Sequence, residues 1–264
     1  MPQLEINGAR LWYDVQGDGQ PLFCIGGMVL VSDQYAFTTP ILSKKFKVIN
    51  FDMRGIGKSA PLPSLNYARY QDQAEDVKGI MDALGIEKAH IWSGACSWIG
   101  IEFAARYPER TASLIFFPWL YINPQARSFF NLAEEACKAF GSMDYWAKLI
   151  TTGWADSKTQ DWALSKFAHN ISCEAFAVHW NTLKYCDLRD QIPKIKVPTI
   201  MLVGAESGGR PKDFRDDIKY VKDNIPGAET IFIKGSVETY YMIDNPEKTS
   251  KIVTEWLEKH PIKN

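Results

Sequence analysis

The chain has 264 residues, 46% hydrophobic and 23% charged, with a formal net charge of −1. That length suits one large domain, or a domain with an insertion, and it is enough to bury a substantial core. The near-zero charge excludes a general electrostatic attraction to nucleic acid or an anionic membrane, and no run approaches the roughly 18 apolar residues of a membrane span.

Five cysteines (Cys24, Cys96, Cys137, Cys173, Cys186) are scattered without metal-ligand spacing, and their odd number argues against a disulfide framework. Met1-Pro2-Gln3-Leu4-Glu5 carries no basic stretch leading into an apolar core, so no secretory signal is read and a cytoplasmic location is expected.

Leu4-Glu5-Ile6 and Leu11 to Val15, separated by Asn7-Gly8, predict a hairpin, because Asn-Gly favours a two-residue turn. Leu22-Phe23-Cys24-Ile25 is an uninterrupted apolar run, the pattern of a strand covered on both faces, and it enters Gly26-Gly27. Phe46 to Phe51 is the next strand. Tyr67 to Leu84 carries apolar residues at helical spacing and stops at Gly85. Ala89 to Trp92 reads as a buried strand, breaking into Ser93-Gly94-Ala95-Cys96-Ser97 and then a helix that ends before Pro108; Leu114 to Phe117 is a further strand.

From Asn123 to about Asp187 the pattern is helical and rich in aromatics. Strands resume at Thr199 to Val203 and Thr230 to Ile233, with helices near Asp213 to Asn224 and Pro246 to Lys259. Alternating strands and helices imply a mostly parallel α/β sheet with helices on both faces, interrupted once by a helical insertion. The boundaries expected are a core of residues 1–122 and 188–264 and a helical lid of residues 123–187.

Asp52-Met53-Arg54-Gly55-Ile56-Gly57-Lys58-Ser59 resembles the Asp-x-Arg-Gly-x-Gly-x-Ser turn of the α/β-hydrolase superfamily, of the small esterase, lactonase and epoxide-hydrolase type. Phe103 to Arg110 resembles the end of that family's post-nucleophile helix, and Asp187-Leu188-Arg189, Ile195 to Thr199 and Asp244-Asn245-Pro246-Glu247 resemble its later landmarks. The resemblance implies an α/β-hydrolase fold with a nucleophile, an acid and a histidine in that chain order.

Each of those roles falls on an unsuitable residue. Counting back fourteen residues from Pro108, the family's spacing places the nucleophile at Gly94. The other register, read from the shape Gly94-Ala95-Cys96-Ser97-Trp98, makes Cys96 the nucleophile and turns the helix by roughly 200°. The first is preferred because it also puts Gly100 where a small residue packs on the sheet. The acid position falls on Ser207, and the histidine position, five residues before Asp244, on Thr239. Threonine has no base strength near neutral pH, so the relay of a serine hydrolase cannot run there.

The resemblance further implies backbone donors at Met28 and Ala95, next to Gly27, forming an oxyanion hole. Asp33, Tyr35, Trp119, Tyr240 and Tyr241 fall on loops at the expected cavity rim, and Gly27, Cys96 and the lid residue Trp180 are further expected substrate contacts. Three readings follow. The first is a non-hydrolytic enzyme of cyclase, isomerase or lyase type acting on a small apolar molecule. The second is a ligand-binding or regulatory pseudoenzyme, and the third a hydrolase using Cys96 with a lid histidine such as His179. The partner expected in each is a small molecule, with no nucleic acid, membrane, metal or cofactor.

Overall fold

A computed structural model describes residues 2–28, 30–59, 69–121, 124–144, 148, 157–206 and 214–263. Its centre is an eight-stranded sheet in the order β1-β2-β4-β3-β5-β6-β7-β8. Strands β1 (Gln3–Ile6) and β2 (Ala9–Gln16) form the antiparallel edge, closed by Asn7 (φ 48°) and Gly8 (φ 72°). Both φ values are positive, as the Asn-Gly hairpin turn requires. Strand β2 pairs antiparallel with β4 (Phe46–Phe51), and the remaining pairs are parallel.

The central strands β3 (Gln20–Ile25), β5 (Ala89–Ser93) and β6 (Thr111–Phe116) are apolar runs because both of their faces are covered. Leu22, Phe23, Cys24, Ile25, Ile91 and Trp92 are all fully buried. Helices α1 (Thr39–Leu42), α2 (Tyr70–Ala83) and α3 (Ser97–Arg106) belong to the first half of the fold. Gly85 adopts φ 64° just beyond α2, the left-handed stop that its sequence signals.

Between β6 and β7 (Thr199–Glu206) the described chain is helical: α4 (Pro124–Phe140), α5 (Ser157–Asn170) and α6 (Cys173–Leu183). Helix α7 (Arg215–Asn224) leads to β8 (Glu229–Glu238), followed by α8 (Tyr241–Asp244) and α9 (Pro246–Lys259). Strand β8 is longer than the apolar run Thr230 to Ile233 suggests. Its second half bends at Gly235 (φ 81°), whose N–H donates to the Glu206 carboxylate at 3.2 Å. Among the described residues, no helix is long and apolar enough to cross a membrane.

The Asp52 to Ser59 turn is a polar knot beneath the sheet's carboxyl end. Asp52 accepts from the N–H groups of Ser32 (2.9 Å) and Lys58 (2.8 Å), and the Ser59 hydroxyl donates to the Asp52 carbonyl (2.7 Å). Gly57 is required there: its φ is +60°, and a Cβ would stand 2.3 Å from Asp52 Oδ2. Arg54 and Asp76 form a fully buried ion pair, with Nε donating to Oδ2 at 2.6 Å.

Candidate functional site

Strand β5 ends at Ser93 and α3 starts at Ser97, so Gly94, Ala95 and Cys96 form the elbow. The Gly94 N–H donates to the Tyr35 hydroxyl at 3.1 Å, and that hydroxyl lies 3.0 Å from the carbonyl oxygens of both Ile25 and Trp92. Tyr35 is thus a brace across the ends of β3 and β5. This corrects its expected place at a cavity rim: its side chain is fully buried, and burial pushes its phenol well above the ordinary tyrosine range.

The volume next to Gly94 is occupied. A Cβ on Gly94 would stand 2.7 Å from Met242 Cε, 3.1 Å from Met242 Sδ and 3.3 Å from the Tyr35 hydroxyl. Met242 lies on the one-turn helix α8, just past Thr239, and is buried. The sequence reading missed it, although its place three residues beyond the expected histidine was a usable signal. At the other end of the elbow, a Cβ on Gly100 would stand 2.4 Å from Ser93 Cβ and 3.3 Å from Leu114 Cδ1, so α3 rests directly on β5 and β6. The Ser93 hydroxyl points under this helix, donating to the Cys96 carbonyl at 2.6 Å.

The loop after β3 supplies the Met28 N–H. Gly27 and Val31 exchange two backbone hydrogen bonds, of 3.2 and 2.9 Å, that close the loop. Val31 takes φ 48° and ψ −141°, a strained conformation for a β-branched residue that costs about 1–3 kcal/mol. Gln34, also missed from sequence, is buried and donates to the Ile25 carbonyl at 2.9 Å. Its Oε1 would lie 2.8 Å from a Cβ on Gly27, so glycine lets the loop close on it. The Met28 backbone acts on the Cys96 thiol to lower its pKa, against the larger opposing effect of burial.

Cys96 lacks what a thiol nucleophile needs. It is fully buried, and desolvation pushes its thiol far above the ordinary cysteine range, where no thiolate forms at neutral pH. The expected helper, His179 on α6, is engaged elsewhere. Its Nε2 lies 3.0 Å from the Arg54 carbonyl, which only accepts, so Nε2 carries the proton; Nδ1 then accepts from Gln73 Nε2 at 3.3 Å. Both nitrogens are used, and burial holds the ring neutral, with its pKa pushed down to about 4. His90 pairs with Ser113 at 2.8 Å at the start of β5, and His260 packs on Trp256 near the chain's end. The side chain of His169 lies outside the described residues. The Cys96–His179 pairing is not assembled.

The remaining expected residues divide. Thr239 is buried at the end of β8, and Tyr240 and Tyr241 are buried rather than at a rim. Trp180 is buried within the inserted helices, where its indole N–H donates to Asn131 at 2.9 Å; it joins α6 to α4. Asp33 and Trp119 keep partial exposure. Asp33 faces Lys166 of α5 at 3.5 Å, and Phe37 packs against Trp162 with ring centroids 5.0 Å apart, so α5 docks beside the loop after β3. Ser207 lies outside the described residues. Among those described, no group of three or more His, Cys, Asp or Glu side chains is placed to hold a metal.

The family model described as alpha/beta hydrolase fold matches residues 20–214. This chain belongs to the α/β-hydrolase family. Among curated members, the 3-oxoadipate enol-lactonase 1 of Acinetobacter baylyi is 28% identical over 178 residues, a stretch covering 62% of this chain and 62% of that protein. A putative carbamate hydrolase RutD of Azorhizobium caulinodans is 25% identical over 210 residues, covering 76% of this chain and 78% of that protein. Two solved structures of α/β-hydrolase architecture superpose along nearly the whole chain. The enol-lactonase of Burkholderia xenovorans does so with a TM-score of 0.83 and 22% identity, covering 97% of this chain and 100% of that one. A thermophilic esterase of Thermogutta terrifontis gives 0.84 and 21%, covering 99% and 100%. At such identities the structural likeness carries the fold alone.

Proposed function

We propose that this α/β-hydrolase-fold chain has left hydrolysis and acts on a small, largely apolar, carbonyl-bearing molecule held between the elbow and the inserted helices, by binding and orientation without a covalent intermediate. The observation that supports this most is the filled nucleophile position: Met242 and Tyr35 stand where a side chain on Gly94 would project. Thr239 offers no base opposite it, Cys96 has no thiolate, and His179 is engaged by Arg54 and Gln73. The carbonyl class follows from two relatives, a lactonase and a carbamate hydrolase. Cyclisation, isomerisation and elimination suit such a site, because holding a reactive conformer lowers the barrier without a nucleophile.

A second reading, a ligand-binding pseudoenzyme, is favoured by one observation. The candidate helper base, His179, is buried with both ring nitrogens engaged by Arg54 and Gln73, so it moves no proton at the elbow. Native mass spectrometry of the purified protein, followed by release and analysis of any bound molecule, separates the two. A molecule converted to another compound on incubation supports the enzyme, and one recovered unchanged supports the receptor. Labelling by a fluorophosphonate probe, or burst kinetics with an activated ester, would overturn both.

A further inference from the structure

Three sulfur atoms meet in a part of the molecule that the elbow does not use. Cys137 stands in the last turn of α4, Met143 follows the left-handed Gly141 (φ 62°) that ends this helix, and Cys173 opens α6. The Cys137 sulfur lies 2.9 Å from Met143 Sδ, and Cys173 is a close side-chain neighbour of the Cys137 thiol. All three residues line a cavity of about 530 Å³ between the end of α4 and the start of α6. Cys137 and Met143 are buried, whereas Cys173 is partly exposed, which leaves an approach from solvent.

Borderline ions such as zinc take thiolate, imidazole or carboxylate sets, and among the described residues no third such group joins the two thiols. A thioether with two thiolates suits a soft ion. We propose that Cys137, Cys173 and Met143 form a three-sulfur site for a soft monovalent ion, with Cu(I) as its occupant. On binding, each thiol loses one proton to solvent and three sulfur–copper bonds form, with no change in oxidation state. The charged groups around the cavity are Glu134, Lys138 and Glu174, and Lys138 is paired with Glu134 at 3.1 Å and Glu135 at 2.9 Å. Metal binding displaces both thiol protons, so it tightens as pH rises.

The test titrates the reduced 264-residue chain with Cu(I) alone, without oxygen, against a chromophoric Cu(I) chelator. The expected result is one retained ion, held at least about a hundredfold more weakly after Cys137→Ser or Cys173→Ser and unchanged after Cys186→Ser. X-ray absorption should show three sulfur neighbours, falling to two after Met143→Leu, with circular dichroism confirming that each variant is folded. Equal Cu(I) retention by the wild-type chain and the Cys137→Ser/Cys173→Ser double variant would overturn the site. So would two sulfur neighbours both with and without Met143. A chain that forms only a Cys137–Cys173 disulfide in air, and when reduced gives up Cu(I) to the chelator, would overturn it as well.

Discussion

Replacing Gly94 by alanine drives a methyl group into the volume that Met242 occupies. The new Cβ would stand 2.7 Å from Met242 Cε and 3.3 Å from the Tyr35 hydroxyl. The thioether end can swing aside, but Tyr35 is held by Gly94, Ile25 and Trp92. Gly94 is not among the residues with positive φ, so alanine fits the backbone, and the lost freedom of the unfolded chain returns about 0.4–1 kcal/mol. Overpacking costs about 1–3 kcal/mol. The net expectation is a destabilisation of about 1–2 kcal/mol, which lowers Tm by several degrees in a chain of this size. Met242→Ala alone leaves a void and costs about 2–5 kcal/mol. In the double variant the alanine methyl refills part of that void, so the two costs add to less than their sum by about 0.5–3 kcal/mol. Urea unfolding of the four proteins at constant m measures this coupling. Strict additivity, or a Gly94→Ala chain more stable than the parent, would refute the packing of Met242 against Gly94.

Three further outcomes follow from the buried polar groups. His90 and His179 have pKa values pushed down to about 4 from 6.5, so the fold favours their neutral forms. Their contribution, up to about 3 kcal/mol each, is complete above pH 6.5 and lost as pH falls toward 4. Changing both to glutamine should flatten the stability profile across that window. Asp76→Asn leaves Arg54 buried beside a neutral amide and should cost about 3–5 kcal/mol in chemical denaturation, with Asp76→Ala at least as severe. Cys96→Ala should leave any residual cleavage of an activated ester unchanged, and in the native chain an aromatic disulfide reagent should fail to modify Cys96, as peptide mapping of the labelled cysteines would read. A drop in ester cleavage would restore Cys96 as a nucleophile.

Much of the architecture could be read from local chemistry. Leu22 to Ile25 declares itself as a buried strand because both faces are apolar, and Asn7-Gly8 declares its turn because few residue pairs accept two positive φ values. Strand β8 was read short because its second half is largely polar and is held by a bend rather than by an apolar run. The absence of a histidine at Thr239 and of a hydroxyl or thiol at Gly94 also belongs to the sequence, since a missing functional group needs no geometry to be noticed.

What fills the space those groups left was not legible. Met242, Tyr35 and Gly94 come from three distant segments, and only their packing shows that the thioether and the phenol fill the volume beside Gly94. The same holds for His179, which reads as a spare base until Arg54 and Gln73 are seen to take both of its nitrogens. Residue type sets which interactions a side chain is able to make. Which of them it does make depends on neighbours that only the folded chain supplies, because close packing leaves each buried group a single set of partners.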